Sequence, residues 1–317
     1  MYNRMLIPLD GSELAEAVFP YAKEFAARLD LDLILLHTYS PEEAEFAPMR
    51  RAYLDQVCEI VKREAEEVRQ KLGVPPGVKA IDARCEMAEG HAADEILRYA
   101  EENDVNLILM ATHGRSGIKR WAMGSVAEKV LSASKVPVCL VRAGIPEEIA
   151  YDKWPKITIL VPLDGSEIAE SVLPHFEILA KQRGTELVDV VLLRVCEPCQ
   201  PDVMLTHARA SMTPYSPQLT VKSDEYVKRE TDKRKREAKQ YLARVEKQLK
   251  DIGLRVRSEM LWGNPADEII NYANRNPFNL IVMATNGRSG VSRWVIGSVA
   301  DRVLRGASSP IFLVRPQ

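Results

Sequence analysis

The residues best suited to chemistry occur twice, at matched spacing. One stretch runs Ala111-Thr-His-Gly114-Arg-Ser-Gly117 and continues to Gly124-Ser125-Val126-Ala127. Its counterpart runs Ala284-Thr-Asn-Gly287-Arg-Ser-Gly290 and continues to Gly297-Ser298-Val299-Ala300. In both, nine residues separate Gly114 from Gly124 and Gly287 from Gly297. A short apolar run precedes each, Asn106-Leu-Ile-Leu-Met110 and Asn279-Leu-Ile-Val-Met283, and an amphipathic run follows from Val126 and Val299. The pattern reads as strand, glycine-bearing loop, helix. In that order, backbone N–H groups and a helix N-terminus can converge on an anion, above all a phosphate. Gly114 and Gly287 let the chain turn off the strand, and Gly124 and Gly297 sit where the helix begins, each followed by a hydroxyl. Arg115, Lys119, Arg120, Arg288 and Arg293 lie within the loops, either to pair with phosphate oxygens or to stand as solvated charges. His113 is replaced by Asn286 in the second copy, so a shared general base is not expected there.

The elements that must carry these loops also repeat. Met5-Leu-Ile-Pro-Leu-Asp10-Gly11-Ser12-Glu13 opens the first half and Ile159-Leu-Val-Pro-Leu-Asp164-Gly165-Ser166-Glu167 the second. Each reads as a buried strand, a turn and a helix. Second strands are expected at Leu31–Thr38 and Leu187–Val195, third strands at Lys79–Cys85 and Arg255–Leu261, and fifth strands at Val136–Arg142 and Ser309–Arg315. Helical patterns lie between them. Strands alternating with helices imply an α/β fold in which each half is a doubly wound, Rossmann-like domain with a parallel sheet. The repeat offset is 154 at Asp10/Asp164 and 173 at Gly114/Gly287, so about 19 residues are added in the second half, between Cys196 and Lys250. The expected domains are 1–142 and 157–317, joined by a linker at 143–156.

The glycine stretch resembles the signature of the universal stress protein family, Gly-x2-Gly-x9-Gly-Ser/Thr. Both copies carry alanine, Ala111 and Ala284, where that signature begins with glycine. The resemblance implies two five-stranded parallel sheets of order 3-2-1-4-5 in tandem, with ATP or a related adenine nucleotide, and Mg²⁺ where the phosphates bring it, at each loop. It implies that Asp10 and Asp164 approach the nucleoside. The backbone at Thr38 or Val195 would hold the adenine edge. Phosphates would meet the amides of Gly114, Gly124, Ser125 and Val126, and of Gly287, Gly297, Ser298 and Val299. On residue type alone, each aspartate serves equally as a turn or cap residue. The family resemblance further implies pairing of the fifth strands, Pro137–Arg142 and Pro310–Arg315, which here could form an intramolecular pseudo-dimer, with further homodimerisation through the long helices. It points to a stress-response role exercised by nucleotide-dependent interaction rather than catalysis; the alternative is an interaction module of the same fold that binds no nucleotide.

Composition narrows the remaining classes. The chain has 317 residues, a formal net charge of −2 and five cysteines. That balance gives no reason to expect nucleic acid or an anionic membrane as partner. The cysteines do not form a secreted disulfide framework, and no apolar run approaches the roughly 18 residues of a membrane span. With no signal peptide at the N-terminus, a cytoplasmic location is expected. Cys196-Glu-Pro-Cys199 lacks the second ligand pair a zinc site needs and reads as free thiols. The Lys222–Lys250 segment, with Lys233-Arg-Lys-Arg236, spaces Glu230 from Arg234 and Asp232 from Arg236 at i,i+4, which fits the solvated face of a helix. No Ser/His/Asp arrangement repeats between the halves, and no positioned base for water is evident, so any ATP hydrolysis is expected to be slow.

Overall fold

A computed structural model describes residues 1–73, 80–112, 123–142, 156–199, 217–276, 278–286 and 296–316. The first half comprises β1 (Arg4–Leu9), α1 (Glu13–Glu16), α2 (Phe19–Leu29), β2 (Asp32–Tyr39), α3 (Ala47–Lys71), β3 (Ala83–Glu89), α4 (Ala92–Glu102), β4 (Leu107–Ala111), α5 (Ser125–Ala133) and β5 (Val138–Val141). The second half repeats this as β6 (Ile157–Pro162), α6 (Glu167–Glu170), α7 (Val172–Arg183), β7 (Val188–Cys196), α8 (Pro217–Asp251), β8 (Arg255–Trp262), α9 (Pro265–Arg275), β9 (Leu280–Ala284), α10 (Ser298–Gly306) and β10 (Ile311–Val314).

All ten strands belong to one sheet, ordered β3-β2-β1-β4-β5-β10-β9-β6-β7-β8. Within each half the pairing is parallel and the order is 3-2-1-4-5. The central strands read as unbroken apolar runs because both of their faces are covered. Met5 and Ile7 pack with α2 and α3, whereas Leu6 packs with α4 and α5. Ile159 and Val161 against Leu160 repeat the alternation between α7/α8 and α9/α10.

The third strand of the first half runs Ala83–Glu89 rather than the expected Lys79–Cys85. It is an edge strand, and its register on β2, from Leu33↔Ala83 to Tyr39↔Glu89, decides its span. Cys85 and Ala88 point inward while Arg84 and Glu89 do not, so the apolar residue Ile81 marked the approach to the strand, not the strand. The charges also protect an exposed edge from pairing with another chain. Part of the chain added in the second half lies in the long helix itself, since α8 has 35 residues and α3 has 25. Ala238, Leu242, Val245 and Leu249 bury one face of α8, and Glu230 pairs with Arg234 nearer its N-terminus at 3.5 Å.

The halves meet where β5 and β10 pair antiparallel, with Leu140↔Ile311, Cys139↔Phe312 and Val138↔Leu313. Cys139 and Phe312 are equivalent positions of the two repeats, so the register is self-complementary, as in an interface with two-fold symmetry. Around the seam, Tyr2 N–H donates to Gln182 Oε1 at 2.8 Å, and Gln182 Nε2 donates to the carbonyls of Tyr2 and Leu29, both at 2.8 Å. The Tyr2 ring meets Phe312 edge-on at 6.0 Å, and its hydroxyl lies 3.0 Å from His175 Nδ1. Arg142 reaches across to donate to the carbonyls of Leu304 and Arg305 at 3.0 and 2.6 Å, which caps the C-terminal turn of α10.

Candidate functional site

Each half opens a cleft for the same topological reason. β1 pairs with β4 only at Met5↔Leu107 and Leu6↔Ile108, and β6 with β9 only at Ile159↔Leu280 and Leu160↔Ile281. Beyond those pairs the strands part, and the order reverses there, so a crevice forms at their C-terminal ends. The cleft of the first half encloses about 270 Å³ and that of the second about 600 Å³.

At one wall the chain leaves β1 through Asp10-Gly11-Ser12. Gly11 and Gly165 hold φ of +78° and +83°, a region open to glycine at no steric cost. Asp10 Oδ1 accepts from Ser12 N–H at 3.0 Å and Ser12 Oγ at 2.6 Å, and Ser12 Oγ in turn accepts from Ala15 N–H at 3.2 Å. Asp164, Ser166 and Ala169 repeat the arrangement at 2.9, 2.6 and 3.1 Å. The aspartates thus order their turns and also line the clefts.

At the facing wall, β4 ends at Ala111 and β9 at Ala284. Among the described residues the only non-glycines with positive φ are Asp30 and Asp104, so alanine at the start of the signature carries no backbone strain. The chain re-enters the cleft at Gly124 and Gly297. Gly124 N–H donates to the Thr112 carbonyl and Gly297 N–H to the Thr285 carbonyl, each at 2.8 Å. Those two amides, expected to face phosphate, are therefore engaged in closing the loop. The N–H groups of Ser125 and Val126, and of Ser298 and Val299, belong to the first helical turn, which has no intrahelical carbonyl to bond. They border the clefts, where the positive end of the helix dipole favours an anion. Thr38 and Val195 also line the clefts. β2 runs on past His37, opposite the last residue of β1, so the Thr38 backbone borders the gap that β1 leaves.

Gly114 and Gly287 lie outside the described residues, as do His113, Arg115, Lys119, Arg120, Arg288 and Arg293. Cys196 is buried and lines the second cleft, Cys199 is partly exposed, and both are free thiols. No group of three or more metal-ligating side chains occurs among the described residues.

Several cleft residues carry no motif. Ala92 and Ile96 of α4 floor the first cleft, and Pro265 and Ile269 of α9 the second. Their signal is the helical start after Gly90 and Gly263, which marks an element but not its neighbour. Arg194 of β7 and Glu230, Arg234 and Glu237 of α8 enter the second cleft alone.

The universal stress protein family model matches residues 1–142 and 158–315. The chain belongs to the universal stress protein family. A universal stress protein of Mycolicibacterium smegmatis is 22% identical over 316 residues, 99% of this chain and 97% of its own. One from Methanocaldococcus jannaschii is 31% identical over 157 residues, 50% of this chain and 81% of its own. Among solved structures, a universal stress protein from Archaeoglobus fulgidus superposes with a TM-score of 0.62 at 20% identity, covering 99% of both chains. Tandem universal stress domains of α/β, Rossmann-like fold therefore account for residues 1–142 and 158–315.

Proposed function

We propose that this universal stress protein binds ATP or a related adenine nucleotide in each cleft and acts in the stress response through nucleotide-dependent interaction rather than catalysis. One observation carries the reading. The Asp10 and Asp164 turns, far from the glycine stretches in sequence, face the first turns of α5 and α10 across the gap where the sheet order reverses. A phosphate fits the helix end, a ribose fits beside the aspartate, and the base fits against the β2 or β7 backbone at Thr38 or Val195. Gly114 and Gly287 complete the phosphate loop in this reading, and Ala111 and Ala284 floor it. Mg²⁺ would arrive with the phosphates, because it usually keeps several waters and is held through one or two carboxylates plus substrate phosphates.

In the same reading the 1–142 and 157–317 halves form an intramolecular pseudo-dimer through β5 and β10, leaving the long helices α3 and α8 for a homodimer. A cytoplasmic location accords with the described helices, none of which is long and apolar enough to cross a membrane. Extraction of the purified protein followed by chromatography of the released nucleotide tests the proposal together with calorimetry. Protein that releases no nucleotide and gives no heat with millimolar ATP would instead be the interaction module of the same fold.

A further inference from the structure

The two clefts differ at one equivalent position. The β1–β2 register sets His37 opposite Leu9. The β6–β7 register ends at Pro162↔Leu193, which makes Arg194 the counterpart of His37. In the first half this position does not line the cleft. His37 is buried, its Nε2 lies 3.2 Å from Arg50 Nη1, and Arg50 is held bidentately by Glu43 at 3.1 and 2.7 Å.

Arg194 is differently placed. Its guanidinium lies 4.9 Å from the centroid of the Tyr241 ring, and Arg244, itself paired with Glu170 at 2.5 Å, lies 5.3 Å from that ring. The guanidinium thus sits over the face of the Tyr241 ring, a cation–π contact that leaves its N–H fork available to an anion. A Cβ at Gly165 would fall 2.4 Å from Arg194 Nη1, so the group rests directly against the Asp164–Gly165 turn. No carboxylate among the described residues forms an ion pair with it. The nearby cation Arg234 is committed elsewhere: it pairs with Glu230 at 3.5 Å and donates to the Glu197 carbonyl at 3.2 Å.

We propose that the second cleft takes a nucleotide phosphorylated on its ribose as well as at its 5′ end, and that Arg194 reads the ribose phosphate. The inference rests on the reading of the clefts as nucleotide sites. The α10 N-terminus that would hold the 5′ phosphate follows β9, and Arg194 stands on β7 on the far side of β6. Two strand spacings separate β9 from β7, about 10 Å, so the ligand must present two anionic groups at opposite sides of the nucleoside. A carboxylate at a sheet crevice suits a ribose hydroxyl, whereas an arginine there accommodates a ribose phosphate. The fork of N–H donors matches phosphate geometry bidentately. Space agrees, since the second cleft encloses about 600 Å³ against about 270 Å³ in the first.

Calorimetry of the full chain with ADP, adenosine 2′,5′-bisphosphate and adenosine 3′,5′-bisphosphate tests this. The expected result is one site per chain at which one bisphosphate binds at least about tenfold more tightly than ADP. In Arg194→His, which copies the first cleft, that ratio should fall to near one. Arg194→Gln, if the histidine variant folds poorly, should do the same. Binding of ADP with no preference for either bisphosphate would overturn the role of Arg194 and leave the nucleotide reading standing. A preference that survives both substitutions would also overturn it. If none of the three ligands binds, the nucleotide reading fails and this inference with it.

Discussion

Gly124→Val and Gly297→Val separate a ligand site from a merely structural loop. Gly124 has φ −66° and ψ 147°, and Gly297 φ −60° and ψ 146°. Any L-residue adopts these angles, so valine meets no backbone strain. Losing glycine at an N-cap costs up to about 1 kcal/mol, and narrowing the unfolded ensemble returns about 0.4–1 kcal/mol. The net stability change should stay within about 1 kcal/mol, a shift of roughly 2–4 °C in Tm. The isopropyl group, however, would stand before the N–H groups of Ser125 and Val126, or Ser298 and Val299. Two charge-assisted hydrogen bonds of about 1.5–3 kcal/mol each would be lost, which is about 10²–10⁴ in affinity. Each single variant should lower the calorimetric ATP stoichiometry from two to one, and the double variant should abolish binding, while scanning fluorimetry keeps Tm near wild type. Variants that unfold would return the glycines to a structural role. Variants that fold and bind ATP like wild type would refute the placement of phosphate at these helix ends.

The wild-type chain should bind ATP with Mg²⁺ at a Kd between about 1 mM and 1 μM, or about −4 to −8 kcal/mol, and isothermal calorimetry reads it directly. Leu140→Asp or Leu313→Asp places an unpaired charge in the β5–β10 seam, where both leucines are buried. Each should cost more than about 4 kcal/mol and expose two sheet edges, so light scattering should report aggregation on mild heating. At the same seam, burial holds His175 below its ordinary pKa of 6.5, so the unfolded chain binds its proton more readily. Stability should therefore be complete above about pH 6.5 and fall as pH drops toward the folded value. Urea midpoints measured between pH 5 and 8 should show this slope flattened in His175→Asn, and an identical slope in the variant would exclude the histidine. Finally, Ala111→Gly should leave nucleotide affinity within about twofold, because Ala111 already sits in a strand with negative φ; titration of that variant checks it.

The repeated apolar runs, the Asp-Gly-Ser turns and the Gly-Ser helix starts were legible because each follows from local rules. A strand buried on both faces must be apolar throughout, an αL position favours glycine, and a helix start favours a small or capping residue. The alternation of strand and helix gave the parallel sheet, and the family resemblance its order. Tertiary structure alone decided which groups remain available once the loops close. The Gly124 and Gly297 amides carry the same signature as their neighbours, yet they bond the Thr112 and Thr285 carbonyls. The edge strand β3 lies later in the chain than its apolar pattern predicts because its span is set by register with β2, a long-range pairing that composition does not encode. Arg194 and His37 are ordinary strand residues in sequence. Only the registers, the Tyr241 ring and the Gly165 turn make one a positioned cation within a cleft while the other is buried beside an arginine already paired with Glu43. Local pattern specifies elements, because their energetics are local; the use of a polar group depends on which partners the fold brings within about 3 Å.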